Sequence, residues 1–172
     1  IKIVYAGLLG VAQGIYNICK QMELPKNVEF HIYGNGPEAN LVNEIVKTRQ
    51  NIFYHNSVER HLLHQKLLEC DVTLIPLINR IYGSVPSKIF EYSRIGLPIL
   101  YFSEGEGNDL VVRHGLGYTF NSDDFKGLNT FINDLSIGKS TLPTRERIIE
   151  TVEKSFNFKK QFEQLIKTVE RV

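Results

Sequence analysis

The chain alternates between short apolar runs and longer stretches in which apolar residues recur every three or four positions. Ile1-Lys2-Ile3-Val4-Tyr5-Ala6 is a buried-strand pattern that stops at Gly7, and a helix is expected from about 11 to 22, closed by Pro25. Residues 28–33 alternate and end at Gly34. Pro37 opens a helix to about 48, with Leu41, Val42, Ile45 and Val46 on one face. Ile52-Phe53-Tyr54-His55 is a short strand, and the helix after it, ending near 69, carries Leu62, Leu63, Leu67 and Leu68. Val72-Thr73-Leu74-Ile75 is a strand buried on both faces. A helix over 87–95 and a strand over 99–102 add another unit. A helix near 108–114, a strand at 118–120 and two or three helices follow. The last of these helices has Phe158, Phe162, Leu165, Ile166 and Val169 at spacings of three and four.

Repeated strand–helix units demand parallel pairing with helices packed on both faces, so the expected fold is α/β, a doubly wound parallel sheet. Ligands in such sheets bind beyond the carboxyl ends of the strands. The loops after Ala6, Tyr33, His55, Ile75 and Phe102 therefore form the candidate site edge.

Composition narrows the picture further. The 172 residues read as a single domain, 1–172, and a formal net charge of +1 with dispersed Lys and Arg gives no sign of nucleic-acid or anionic-membrane binding. Cys19 and Cys70 lack CxxC spacing and suit reduced, structural thiols in a cytoplasmic setting. No apolar run approaches the ~20 residues of a membrane span. The first residue already lies inside a strand pattern, as in a domain cut from a longer chain.

Three of the edge loops carry unusual chemistry. Gly7-Leu8-Leu9-Gly10-Val11-Ala12-Gln13-Gly14 permits close backbone approach to a ligand beside a helix start, although a tight ligand-free turn uses glycine in the same way. Gly34-Asn35-Gly36-Pro37-Glu38-Ala39 fits the dinucleotide fingerprint G-x-G-x-x-A. Pro37 removes an N–H from that turn, however, and the next strand ends at His55 where a ribose-binding acid belongs, which argues against an NAD site. The segment 82–98 is a Gly-Ser-x-Pro turn running into a helix with Lys88 and Glu91, stopped by Gly96-Leu97-Pro98. A helix start offers N–H groups to a phosphate, and a carboxylate a turn inside can accept from hydroxyls. An ordinary capped helix, with Ile89, Phe90 and Ile95 inward and Lys88 and Glu91 solvated, is the competing reading.

Other chemistry does not assemble. His61 and His64 have no Cys or acidic partners at zinc spacing, no Walker A loop exists, and Ser84 and Ser87 lack a nucleophile elbow. The acidic run Glu104-Gly105-Glu106-Gly107-Asn108-Asp109 reads as a flexible polar loop.

Four runs taken in order carry a family resemblance: Tyr5-Ala6-Gly7…Gly10…Ala12-Gln13-Gly14, Gly34-Asn35-Gly36-Pro37, Cys70-Asp71-Val72…Ile75-Pro76, and Pro86-Ser87-Lys88-Ile89-Phe90-Glu91-Tyr92…Gly96-Leu97-Pro98-Ile99. Together they resemble the C-terminal half of GT-B glycosyltransferases, nearest to family 4 retaining enzymes of bacterial capsule and O-antigen assembly. The resemblance implies a donor-binding domain for a nucleotide-sugar, UDP favoured, joined to an absent N-terminal domain that holds a glycan or lipid-linked acceptor. It implies Glu91 on the ribose, the Ser84 and Val85 amides on the diphosphate, and the Gly7–Gly10 loop with Gln13 opposite. It also places the Gly34–Gly36 turn near the base. No cofactor or metal is required, the catalytic residues would lie on the absent domain, and the setting is cytoplasmic, at most peripheral to the inner membrane face.

Two departures stand out. Gly83 occupies the place of the first glutamate of the family's E-x7-E motif. Leu8 or Leu9 and Gln13 occupy the places of an Arg and a Lys that neutralise the diphosphate, so Lys88, with Arg80 or Arg94, is expected to supply that charge. A nucleotide-binding module without transfer activity is the alternative these departures keep open.

Overall fold

The structure, a computed structural model, describes residues 1–78 and 85–156 together with residues 162 and 166. Six strands form one sheet in the order β3-β2-β1-β4-β5-β6, every pair parallel. The strands are β1 (Lys2–Ala6), β2 (Glu29–Tyr33), β3 (Ile52–Tyr54), β4 (Val72–Pro76), β5 (Ile99–Phe102) and β6 (Gly117–Phe120). The helices are α1 (Ile15–Gln21), α2 (Ala39–Val46), α3 (Arg60–Leu68), α4 (Lys88–Arg94), α5 (Glu106–Arg113), α6 (Phe125–Ser136) and α7 (Arg145–Ser155). This is the doubly wound sheet that the strand–helix rhythm predicts. The chain reverses direction across the sheet between β1 and β4, which makes their carboxyl ends the switch point.

Period-two alternation sorts the strand side chains into two cores. Ile3, Tyr5, Phe30, Ile32, Leu74 and Phe102 face α1, α2 and α6, while Val4, Ala6, Tyr33, Ile75, Ile99 and Tyr101 face α4, α5 and α7. Arg145 at the start of α7 fastens the second layer: its guanidinium donates to the carbonyls of Leu68, Cys70 and Ile95, at the C-terminal ends of α3 and α4. A cation there satisfies orphan carbonyls and complements two helix dipoles.

Several expectations change in detail. α1 begins at Ile15 rather than near Val11, because Gly14 adopts the left-handed conformation (φ 60°) and only after it does the chain settle into regular helix. In α3 only Leu67 is buried and Leu63 partly so; Leu62 and Leu68 are exposed, since the helix lies at the margin of the sheet and offers one narrow face to it. Leu41 on α2 is likewise exposed. The acidic run after β5 is not a loop throughout: Glu106 to Asp109 form the first turn of α5, where carboxylates favour a helix N-terminus. Residues 158, 165 and 169 of the expected last helix lie outside the described residues, while 162 and 166 are helical.

Candidate functional site

β1 ends at Ala6, and the loop after it is the centre of the carboxyl edge. The Gly7 N–H donates to the Tyr33 carbonyl (2.9 Å), the Leu9 N–H to the Asn35 carbonyl (2.9 Å), and the Glu38 N–H to the Leu9 carbonyl (2.9 Å). Two loops predicted separately are thus laced into one ledge. Their glycines are what allow it. A Cβ on Gly34, where φ is 144°, would stand 1.8 Å from the Gly7 carbonyl oxygen, and one on Gly36 would stand 2.5 Å from that of Leu9. The Gly-x-Gly pattern here is satisfied by loop-on-loop packing, which gives the fingerprint a structural reason that needs no dinucleotide.

α4 approaches the same ledge from the switch point. Lys88 is half-buried, and a methyl group built on Gly7 would stand 2.8 Å from its Nζ and 3.1 Å from the Tyr5 hydroxyl. Glu91, three residues on, is exposed and accepts from the Ser87 hydroxyl (3.2 Å). Of the inward positions expected on this helix, Ile89 is buried and Ile95 partly so, whereas Phe90 is part-exposed and meets Phe156 edge-on (5.3 Å between ring centroids). Val85 turns its side chain to the core, which leaves only its backbone for a ligand.

Beside the ledge a pocket of about 340 Å3 is lined by Gly7, Leu8, Tyr33, Gly34, Asn35, Ser57, Val58 and Leu63. Behind Tyr33 stands an aromatic stack. His55 lies against Tyr33 (4.5 Å) and against His31 (5.2 Å), and His31 lies against Phe53 (5.1 Å). His31 Nδ1 and His55 Nε2 are 2.9 Å apart, and His31 Nε2 is 3.0 Å from Glu29 Oε2. Hydrogen bonding to His31 holds the Glu29 carboxyl below its ordinary range, while burial and the neighbouring His31 and Lys66 push the His55 imidazole down. His55 is therefore neutral at pH 7, and which ring nitrogen of the pair carries the bridging hydrogen depends on the tautomer.

Gly7, Gly34, Gly36 and Lys88 are thus brought together. Gln13 is not: its side chain folds back on Gly10, and Oε1 is buried without a partner among the described residues. Arg94 is exposed at the far end of α4, roughly 9 Å along the axis from Lys88, and so is no companion to it. Arg80, Gly83 and Ser84 lie outside the described residues. Residue reading missed Ser57, Val58 and Leu63 in the pocket wall. The only hint was their place after a strand on the carboxyl edge, where Asn56 takes φ 57° and its carbonyl receives the Gly34 N–H.

Burial raises the thiols of Cys19 and Cys70 to about 12 and about 11, so both are protonated packing residues. Among the described residues no three His, Cys, Asp or Glu side chains gather around a metal-sized space, and no helix is long and apolar enough to cross a membrane.

The doubly wound domain thus carries a glycine ledge and a lysine at its switch point, with a pocket beside them over the carboxyl ends of β1, β2 and β3. The sequence pattern of the family described as glycosyl transferases group 1 matches residues 1–136, and the chain belongs to that family. No curated protein matches it. Among solved structures it resembles Anabaena HepE in complex with UDP (TM-score 0.80, 16% identity), covering 99% of this chain and 49% of that one. The pneumococcal O-GlcNAc transferase GtfA in complex with UDP and GlcNAc gives a TM-score of 0.74 at 22% identity, covering 99% of this chain and 35% of that one. The lipopolysaccharide outer core galactosyltransferase WaaB gives 0.75 at 16%, with 97% and 49% covered. The chain therefore spans half or less of the length of these proteins, and its fold fits the C-terminal domain of the GT-B architecture.

Proposed function

We propose that this chain is the donor-binding half of a group 1 glycosyltransferase, holding a nucleoside diphosphate sugar, UDP favoured, for transfer to a glycan or lipid-linked acceptor. The observation that carries it is the approach of Lys88 to the Gly7 ledge beside the pocket, at the switch point of the sheet. HepE and GtfA, which share the fold, carry UDP in their complexes. In this reading the diphosphate lies on the ledge between Lys88 and the Leu8 and Gly10 amides, since the Gly7 and Leu9 N–H groups are already spent on carbonyls, and the Val85 and Ser84 amides are the further donors the resemblance supplies. The base enters the pocket under Tyr33 and Asn35, and Glu91 accepts from the ribose hydroxyls.

Charge is the main contribution available to this half. An ammonium and backbone donors aimed at the departing diphosphate stabilise the negative charge that grows as the glycosidic bond breaks. The acceptor site and any catalytic base belong to an N-terminal half, which is this domain's partner, and the chain by itself binds nucleotide without transferring sugar. No metal or cofactor is needed for that binding, and the assembled enzyme works on cell-surface polysaccharide from the cytoplasmic side, at most peripherally bound to the membrane.

A second reading, a nucleotide-binding module without turnover, draws on Leu8 and Gln13, neither of which brings charge to the ledge. Titration calorimetry with UDP, GDP and NADH separates the possibilities. UDP or GDP binding that Glu91→Ala weakens about tenfold supports a nucleotide-sugar site, and binding of NADH alone overturns it. Sugar transfer, or its absence, by the chain joined to its N-terminal half distinguishes enzyme from module.

A further inference from the structure

The carbonyls of β1 at even-numbered positions point toward β4, as the Asp71 N–H donating to the Lys2 carbonyl (2.9 Å) shows. The β1–β4 ladder pairs Ile3 with Val72 and Val4 with Thr73 and goes no further; continued in register, the N–H due to reach the Ala6 carbonyl would be that of Pro76, which has none. The Ala6 carbonyl is therefore directed at a neighbour strand that is no longer paired with it. A buried carbonyl in that position needs a donor from elsewhere. Tyr92 supplies it: the hydroxyl, buried on the inner face of α4, donates to Ala6 O at 3.0 Å. From the opposite layer the Tyr5 hydroxyl donates to the Leu8 carbonyl at 2.5 Å. Ala6 and Leu8 flank Gly7, so one hydroxyl pins the backbone on each side of it.

The two phenols, Lys88 and Glu91 form one cluster. Burial raises both tyrosine pKa values well above their ordinary range, and for Tyr92 the Glu91 carboxylate and Tyr5 add to the rise. Both phenols are thus fixed as neutral donors, with nothing to gain as acids or bases. Tyr92 adjoins Glu91 in sequence and lies one helical turn beyond Lys88, so its tether sets the distance from α4 to the ledge.

We propose that Tyr92 and Tyr5 are positioning residues, which lock the Gly7 ledge and α4 into one rigid unit and so set the spacing between the phosphate and ribose contacts of the donor. The inference rests on the donor-site reading above, but its geometric half can be tested without nucleotide. The variants are Tyr92→Phe and Tyr5→Phe, which remove the hydroxyls and keep the rings. The control is Thr73→Val, which removes another buried hydroxyl from the same row of carbonyls, Thr73 Oγ1 to Val4 O (3.1 Å), further from the ledge.

Two quantities are measured on each: the UDP dissociation constant by calorimetry, and the amide exchange rate at Leu9 by NMR. Each phenylalanine variant is expected to weaken UDP about fivefold and to speed Leu9 exchange by a similar factor, the worth of one buried hydrogen bond. Thr73→Val is expected to lower the melting temperature comparably and to move neither quantity. Phenylalanine variants that exchange at the parent rate overturn the proposal, and so does a Thr73→Val that loosens Leu9 as much as they do. If the parent binds no UDP while Leu9 still responds to Tyr92→Phe alone, the tether stands and the donor reading falls.

Discussion

The two walls of the candidate site are built on opposite principles. The inner wall, where β1 meets α4, is closed: hydroxyls meet carbonyls, Lys88 lies on Gly7, and Tyr92 and Ile89 are buried. The outer wall, at the β2–β3 margin, is a stack of His31, His55, Tyr33 and Phe53, half-open and able to titrate. The inner wall fixes geometry through groups that do not change charge near neutrality. The outer wall shapes the pocket through rings whose protonation and stacking respond to solvent. A ligand bridging both would owe its placement to the first and its base preference to the second.

The comparison breaks most severely at Gly34. Any side chain there meets the Gly7 carbonyl, so Gly34→Val should cost about 3 kcal/mol or more in urea unfolding and destroy the ledge with it. A variant that unfolds like the parent would mean that the two loops move apart freely. Charge reversal at the inner wall comes next. Lys88→Glu should weaken UDP by about tenfold or more, with unfolding free energy changed by less than ~1 kcal/mol. Unchanged affinity removes Lys88 from the phosphate role.

Glu91→Ala should lower UDP affinity about tenfold while leaving the 2′- and 3′-dideoxy analogue unaffected, since only hydroxyls recognise the carboxylate. Equal losses for both ligands would assign Glu91 a purely structural task. The smallest effect belongs to the outer wall. The folded His55 pKa lies below the ordinary 6.5, so the unfolded chain takes up more protons as pH falls through and below that value. Stability conferred by neutral His55 is complete above 6.5 and is lost on acidification, whereas the loss from depressed Glu29 has the same sign but sets in only below the ordinary carboxylate range, outside the His55 window. The melting temperature should therefore fall between pH 7 and pH 5, and His55→Gln should flatten part of that slope. A slope identical in the variant would exclude the pair as its source.

The sheet was legible in the sequence because its evidence is local. Val72 to Ile75 could only be a strand buried on both faces, and Gly96-Leu97-Pro98 could only end a helix, as α4 does at Arg94. The ledge was half legible. Gly7, Gly34 and Lys88 were singled out for ligand contact, but that Gly34 serves Gly7 is a relation across 27 positions, which no window of neighbours contains. Gln13 shows the opposite case: its side chain folds back on Gly10, three residues before it, a local turn that the spacing of the glycines alone does not display. Tyr92 was quoted as part of a motif without a role, because its partner carbonyl lies 86 residues earlier.

That separation has a further consequence for how the domain comes into being. Closing so long a loop is entropically costly and slow relative to forming any single strand–helix unit. A chain emerging from the ribosome can pair β1 with β2 early, yet the Ala6 carbonyl finds Tyr92 only after β4 and α4 have followed. The tethered ledge therefore arrives as one of the last events of folding, and early appearance of secondary structure says little about whether it has formed.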